Sequence, residues 1–209
     1  MTRLLFGGSF DPVHHGHLIV ARHVAEHLGV ARTILIPSAA PPHKPGRRLG
    51  SIADRLAMCR AAVQDDPQFE VSDWEATQSG PNYTITTVRH FREGLGDEVA
   101  LFWLVGMDSL RELATWYHAP ELVELCTIVT AARPGYEPPT AAQLAGFSAA
   151  QVRRLLQFIV PSPQIDIAAR DIRARVRAGA SIRYLVPEAV RAYVQAHGLY
   201  GGEPGVAPP

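Results

Sequence analysis

Short apolar runs alternate along the chain with stretches whose apolar residues recur at helical spacing. The apolar runs cover residues 4–6, 33–36, 69–71, 99–105 and 127–130, and the fourth is typical of a central strand covered on both faces. Between the runs, stripes such as Leu18, Ala21, Val24 and Leu28 predict amphipathic helices. This alternation predicts an α/β fold with a doubly wound parallel sheet, in which ligands bind beyond the carboxyl ends of the strands.

The C-terminal third carries a weaker pattern. Residues 137–150 are rich in proline and alanine, which is typical of a variable insertion or a loose lid, and residues 165–167 predict a last short strand. Ile172 and Val176 then predict a helix with arginines on its outer face. Pro187 starts a closing helix, so the sheet is expected to carry a small C-terminal helical extension.

Composition limits the classes of protein that remain. The 209 residues, 47% of them hydrophobic and 19% charged, predict one domain over residues 1–200 with a disordered tail at 201–209. A formal net charge of zero argues against a nucleic-acid partner, and the absence of a long apolar run argues against a membrane partner. Cys59 and Cys126 stand far apart without metal-ligand spacing, as in a reduced, cytoplasmic protein.

The segment LLFGGSFDPVHHGHL, residues 4–18, combines a strand, a glycine turn and a histidine-rich helix start. Glycine at positions 7 and 8 allows a ligand to approach the backbone closely, and a helix N-terminus favours an anion. His14 and His17 would lie on one face and add two donors aimed at the same place. A zinc site is the alternative, but no third ligand stands at the usual spacing. The segment therefore predicts a phosphate-binding turn.

A second candidate segment is the proline-rich loop that follows the run at residues 33–36. It carries His43 and Lys44, and Lys44 is the chain's sole lysine. A cationic loop at the carboxyl edge of a sheet can fold over phosphates, although a solvated loop explains the same residues equally well.

Several motifs in fixed order resemble the bacterial nicotinate-nucleotide adenylyltransferases of the H-x-G-H nucleotidyltransferase superfamily. They are GGSFDPVHHGH, PPHK, SGPNYT, VGMDS with ATWY, ARPG, and the closing YLVPEAVRAYVQAHGLY. The resemblance covers nearly everything from Leu4 to Tyr200. It implies a Rossmann-like fold of the nucleotidyltransferase type and a role in NAD biosynthesis.

The reaction that this resemblance implies is adenylyl transfer from ATP to nicotinate mononucleotide, which gives nicotinate adenine dinucleotide and pyrophosphate. His14 and His17 are the implied catalytic residues, since they can stabilise charge on the α-phosphate. Mg²⁺ is expected to arrive on the ATP phosphates, without a dedicated protein metal site. The implied ATP-binding residues are Gly7, Gly8, Ser9, Phe10, His14, His17, Gly106, Asp108, Ile167 and Arg173.

The resemblance also implies a binding site for the mononucleotide. Trp116 would stack on the pyridine ring, and the backbone N–H groups of Thr84 and Tyr117 would hold its carboxylate. The implied substrate-binding residues are His43, Lys44, Thr84, Asp108, Trp116, Tyr117 and Arg133. Of these, His43 and Lys44 would contact phosphate, Asp108 would bind a ribose or organise the metal–phosphate network, and Arg133 would add positive charge.

One motif departs from the family pattern. Where the family carries Ile-Ser-Ser-Thr-x-Ile-Arg, residues 167–173 read IAARDIR, so three hydroxyl groups that contact ATP phosphates are missing. Arg170 is a candidate substitute. This departure keeps a non-catalytic nucleotide-binding homologue open as an alternative. An adenylyltransferase that prefers nicotinamide mononucleotide also stays open, because Trp116 would stack on either pyridine ring. The oligomeric state, including a homo-oligomer, also stays open.

Overall fold

The structure, a computed structural model, describes residues 1–40, 49–132 and 137–201. Its elements are β1 (Thr2–Gly8), α1 (His15–His27), β2 (Arg32–Pro37), α2 (Ile52–Val63), β3 (Phe69–Val71), α3 (Thr84–Leu95), β4 (Ala100–Gly106), α4 (Met107–Glu112), α5 (Ala119–Leu125), β5 (Thr127–Ala132), α6 (Ala149–Gln157), β6 (Ile159–Pro161), α7 (Ala169–Arg177) and α8 (Glu188–Ala196). Short 3₁₀ turns occupy Trp74–Thr77, Leu113–Thr115 and Ala141–Leu144.

The six strands form one parallel sheet in the order β3-β2-β1-β4-β5-β6. The chain builds outward from β1 to β3, returns to the centre and builds outward again from β4 to β6. The two halves therefore diverge between β1 and β4, and a crevice opens there at the carboxyl ends of the strands. This topology confirms the doubly wound fold.

The hydrophobic core lies in two layers, one on each face of the sheet. Neighbouring residues of β1 belong to different layers, because successive side chains of a strand point to opposite faces of the sheet. Leu4 packs with α1, α2, α7 and α8, whereas Leu5 packs with α3, α4, α5 and α6. The helical extension predicted at the C-terminus is α8, with Val190 and Val194 buried against the first layer.

The last strand was predicted at the wrong place. Ile159–Pro161 pairs with β5, whereas residues 165–167 form no regular structure. A three-residue strand that ends in proline at a sheet edge has too little alternation to be recognised from sequence. The interpretation of residues 137–150 as a loose lid also fails in part. Leu144 is fully buried, and Ser148 and Gln151 form a capping box that starts α6.

Two smaller sequence predictions can be compared with the structure. Cys59 and Cys126 are both free and buried, and burial raises the pKa of the Cys126 thiol to about 12. Within the part of the chain that the structure describes, no helix has the length and apolar character needed to cross a membrane.

Candidate active site

The glycine turn begins with Gly7 and Gly8, the last residues of β1, and two aromatic side chains pack closely against them. A Cβ atom on Gly7 would lie 2.6 Å from Cζ2 of Trp103, and one on Gly8 would lie 2.9 Å from Cζ of Phe10. Phe10 itself is almost fully buried and adopts a positive φ of 46°. The aromatic packing therefore excludes side chains at both glycines and leaves their backbone facing the crevice.

His14 and His17 are held together at the start of α1. Nδ1 of His17 accepts a hydrogen bond from the backbone N–H of His14 at 3.3 Å, and the two rings stack with centroids 3.7 Å apart. Phe10 meets the His17 ring edge-on at 5.0 Å. Because Nδ1 of His17 is an acceptor, the ring proton of the neutral imidazole lies on Nε2, which becomes the donor nitrogen.

A cavity of about 530 Å³ opens at this turn. Its lining includes nearly all of the predicted ATP-binding residues, namely Gly7, Gly8, Ser9, Phe10, His14, His17, Gly106, Ile167 and Arg173. We call this the first cavity. Asp108 does not line it: this residue is exposed in the first turn of α4, next to Gly106.

Residues 167–173, which depart from the family motif, form one wall of the first cavity. Ala168 is the N-cap of α7, and within the described chain no side chain caps this helix end. Arg170 also lines the cavity, with its side chain 78% exposed and its Nε 3.2 Å from Oδ1 of the adjacent Asp171. An ion pair this exposed contributes little to stability. This wall therefore presents the N-terminal end of α7 and one guanidinium, and the substitution of Arg170 for the missing hydroxyl groups stays a prediction.

A second cavity of about 320 Å³ adjoins the first, and Gly7, Gly8, Ser9 and Gly106 line both. Thr84, Trp116 and Tyr117, all predicted to bind substrate, line the second cavity only. Thr84 is the first residue of α3, and the rings of Tyr83 and Tyr117 lie 4.6 Å apart. No side chain of the described residues caps α3, so its terminal N–H groups suit an anion.

Among the polar residues of the second cavity, the sequence reasoning missed Ser38, Glu75, Asn82, Ser109 and Glu112. Glu75 is only 3% exposed. The Thr87 hydroxyl donates to Oε1 of Glu75 at 2.6 Å. Burial raises the pKa of Glu75, while hydrogen bonds from the hydroxyls of Thr87 and Ser38 lower it. Asn82 lies within the SGPNYT motif, so that motif was the available signal.

Asn82 joins two walls of this cavity. Its Oδ1 accepts from the backbone N–H of Ala40 at 2.6 Å, and its Nδ2 donates to the carbonyl of Glu75 at 3.2 Å. These bonds fix the loop after β2 against the start of α3.

Three predicted site residues cannot be placed. His43, Lys44 and Arg133 lie outside the described residues. Among the residues that are described, no group of three or more histidine, cysteine, aspartate or glutamate side chains could hold a metal ion.

Comparison with known proteins places this geometry in a family. The model of the cytidylyltransferase-like family matches residues 5–175. A Thermomicrobium roseum protein named probable nicotinate-nucleotide adenylyltransferase is 44% identical over 201 residues, which is 96% of this chain and 92% of that protein. A Roseiflexus castenholzii protein of the same name is 41% identical, over 94% of this chain and 96% of its own.

A solved structure shares the fold at much lower identity. The Plasmodium falciparum nicotinic acid mononucleotide adenylyltransferase complexed with NaAD has a TM-score of 0.74 and 14% identity, over 95% of this chain and 97% of that one. Because these two relatives exceed 40% identity over nearly the whole chain, the protein belongs to the cytidylyltransferase-like family and, within it, to the nicotinate-nucleotide adenylyltransferases.

Proposed function

We propose that this protein transfers the adenylyl group of ATP to nicotinate mononucleotide, a step of NAD biosynthesis. The observation that carries the proposal is the pair of adjoining cavities that share the glycine turn and Gly106. Two nucleotides bound side by side would meet at this shared wall. His14 and His17 line only the first cavity, so the first cavity is the ATP half and the second is the acceptor half.

The chemistry is an in-line displacement at the α-phosphorus. An oxygen of the acceptor's 5′-phosphate forms the new P–O bond, the bond to the β-phosphate bridging oxygen breaks, and pyrophosphate leaves. This nucleophile is already ionised at neutral pH, so the protein needs no side chain to deprotonate it. What remains is to align the two phosphates and to stabilise the charge that spreads over the α-phosphate.

The donors around the first cavity suit that task. Nε2–H of His17 is a side-chain donor, and Gly7 and Gly8 bring backbone within reach of a phosphate. The start of α7 adds a helix N-terminus, with Arg173 and Arg170 on the same wall. One preorganised donor of this kind contributes roughly 3 kcal/mol to the transition state.

The second cavity suits an acidic pyridine ring. Trp116 offers an aromatic face, and the uncapped start of α3 at Thr84 offers N–H groups and a partial positive charge. Trp116 can stack on the pyridine ring of either acceptor, but a carboxylate gains from the partial positive charge, which a neutral amide cannot use to the same degree. This difference favours nicotinate over nicotinamide as the ring that the cavity accepts.

Mg²⁺ is proposed to enter with ATP. Among the described residues, the acidic side chains that line the first cavity are the buried Asp11, which accepts from Tyr200, and the exposed Asp166. Such a lining suits a cation held mainly by phosphate oxygens and water. When bound, Mg²⁺ would neutralise charge on the departing pyrophosphate.

The test is pyrophosphate release by the purified protein with Mg-ATP and nicotinate mononucleotide, run beside nicotinamide mononucleotide. We expect a kcat/KM for nicotinate mononucleotide at least tenfold above that for nicotinamide mononucleotide. Preference for the amide would overturn the assigned acceptor. Release with neither, from a folded protein that still binds ATP, would instead identify a non-catalytic nucleotide-binding homologue.

A further inference from the structure

The C-terminal end of the described chain reaches the phosphate-binding turn. The phenol of Tyr200 donates a hydrogen bond to Oδ1 of Asp11 at 2.8 Å, and the backbone N–H of Gly50 donates to the same oxygen at 3.3 Å. Asp11 is only 2% exposed and directly follows Phe10 in the turn. A residue 189 positions away in sequence thus holds a buried carboxylate of the turn.

Asp11 in turn holds a cation of the first cavity. Arg173 donates to the backbone carbonyl of Asp11, and its Nη1 lies 3.5 Å from the carboxylate oxygen Oδ2. The Arg173 side chain is 14% exposed and lines the cavity from α7. The Asp11 carboxylate therefore lies between the phenol of Tyr200 on one side and the guanidinium of Arg173 on the other.

Two features keep Tyr200 in this role. Helix α8 packs on α2, and Leu199 and Tyr200 then pack against the first core layer. Burial, followed by the nearby Asp11 carboxylate, raises the pKa of the Tyr200 phenol, so the hydroxyl stays a donor at physiological pH. Losing it would leave the buried Asp11 oxygen with one donor fewer, and buried carboxylates depend strongly on their donors.

We propose that Tyr200 is a positioning residue for ATP, acting through Asp11 on Arg173 and on the turn that carries His14. The inference rests on the proposed function only in assigning ATP to the first cavity. Tyr200 lines neither cavity, so its effect is indirect. Asp11, His14 and Arg173 line only the first cavity, so the effect falls on the ATP half.

The chain offers a matched control in Tyr193. Its hydroxyl donates to Oδ1 of Asp54 at 3.0 Å, so it too joins the C-terminal region to an aspartate. Tyr193 and Asp54 both lie outside the linings of the two cavities. Tyr200→Phe and Tyr193→Phe therefore each remove one phenol-to-carboxylate hydrogen bond, from Asp11 in the first case and from Asp54 in the second.

The experiment compares steady-state kinetics of both variants with wild type. Tyr200→Phe is expected to raise the KM for ATP about tenfold, the size of one hydrogen bond to a charged group, and to leave the KM for nicotinate mononucleotide within twofold. Tyr193→Phe is expected to change neither KM by more than twofold. Equal rises in both KM values for Tyr200→Phe, or the same ATP effect in both variants, would overturn the proposal and leave a purely structural role.

A double-mutant cycle with Asp11→Asn tests the path of the effect. If Tyr200 acts through Asp11, adding Tyr200→Phe to Asp11→Asn raises the KM for ATP little further. Additive effects of the two substitutions on this KM would refute that path. Direct titration with a non-hydrolysable ATP analogue separates this inference from the proposed function. If the wild type binds the analogue but shows no turnover, the proposed function is wrong while the positioning role can still be tested. Weaker binding of the analogue by Tyr200→Phe than by Tyr193→Phe would then still support the positioning role.

Discussion

Nδ1 of His17 accepts a hydrogen bond from the backbone N–H of His14, and the two imidazole rings stack at 3.7 Å. The bond fixes the ring orientation of His17, and the stack limits its rotation. One nitrogen is committed to the backbone, so Nε2 is the nitrogen that can serve a ligand in the first cavity. Two side chains three residues apart thus support each other at one helix N-terminus.

Replacing His17 by alanine removes this donor. We expect kcat to fall by about a hundredfold or more, because one preorganised donor contributes roughly 3 kcal/mol to the transition state. The measurement is pyrophosphate release at saturating substrates, with a thermal melt to verify folding. His15→Ala is the matched control, since His15 neighbours both histidines but does not line either cavity. A folded His17→Ala enzyme with full kcat would refute the assignment.

Substitution of Arg170 tests how the protein binds ATP without the hydroxyl groups of the family motif. If its guanidinium replaces the missing hydroxyl groups, Arg170→Ala raises the KM for ATP about tenfold at low ionic strength, and less in high salt because the group is exposed. Arg177→Ala, at the exposed far end of the same helix, provides the control. Indistinguishable KM values for the two variants at low salt would show that Arg170 faces solvent in the complex.

Trp116 tests the acceptor half. Trp116→Leu keeps an apolar side chain but removes the ring face, and we expect the KM for nicotinate mononucleotide to rise about fivefold with the KM for ATP unchanged. Trp74→Leu is the matched control, because Trp74 stacks on His90 outside both cavities. A KM for ATP that rises as much as that for the mononucleotide would contradict the division into two halves.

The burial of Glu75 predicts how the stability of the protein depends on pH. Burial raises its pKa in the folded protein above the ordinary value of 4.5, so the folded state binds more protons than the unfolded state once the pH exceeds that value. The contribution of Glu75 to the free energy of unfolding therefore falls as the pH rises from 4.5 through the raised pKa.

Glu75→Gln lacks this titration and can still accept from Thr87. We expect its free energy of unfolding, relative to wild type, to increase with pH over the same window. Urea denaturation of both proteins at a series of pH values measures the difference. A difference that does not change with pH would contradict the inferred burial effect.

Local patterns predicted much of the fold, and they also selected a set of residues for the ATP half whose roles stay predictions. The start of β4 was placed within one residue, and Phe69–Val71 was placed at its observed bounds. Strand alternation, helical stripes and the glycine turn are all properties of neighbouring residues, which sequence displays directly. Nearly every predicted ATP-binding residue likewise lines one cavity, because the motifs stand at strand ends that a parallel sheet brings to one edge.

Other features depended on contacts between distant parts of the chain. Strand β6 is recognisable only by its pairing with β5. Glu75 lines the second cavity because the 3₁₀ turn at Trp74–Thr77 buries it beside Thr87. Asp108 was assigned to both halves, yet it lines neither cavity, and its role stays a prediction.

The sequence by itself determined the alternation of strands and helices, the glycine turn and the family to which the chain belongs. Only the tertiary structure decided that Tyr200 bonds to Asp11, that Asp11 holds Arg173, and that two cavities share one wall. The physical reason is the range of the interactions. Backbone propensity and periodic burial act between near neighbours, whereas a buried carboxylate takes its donors from any segment that packing brings within about 3 Å.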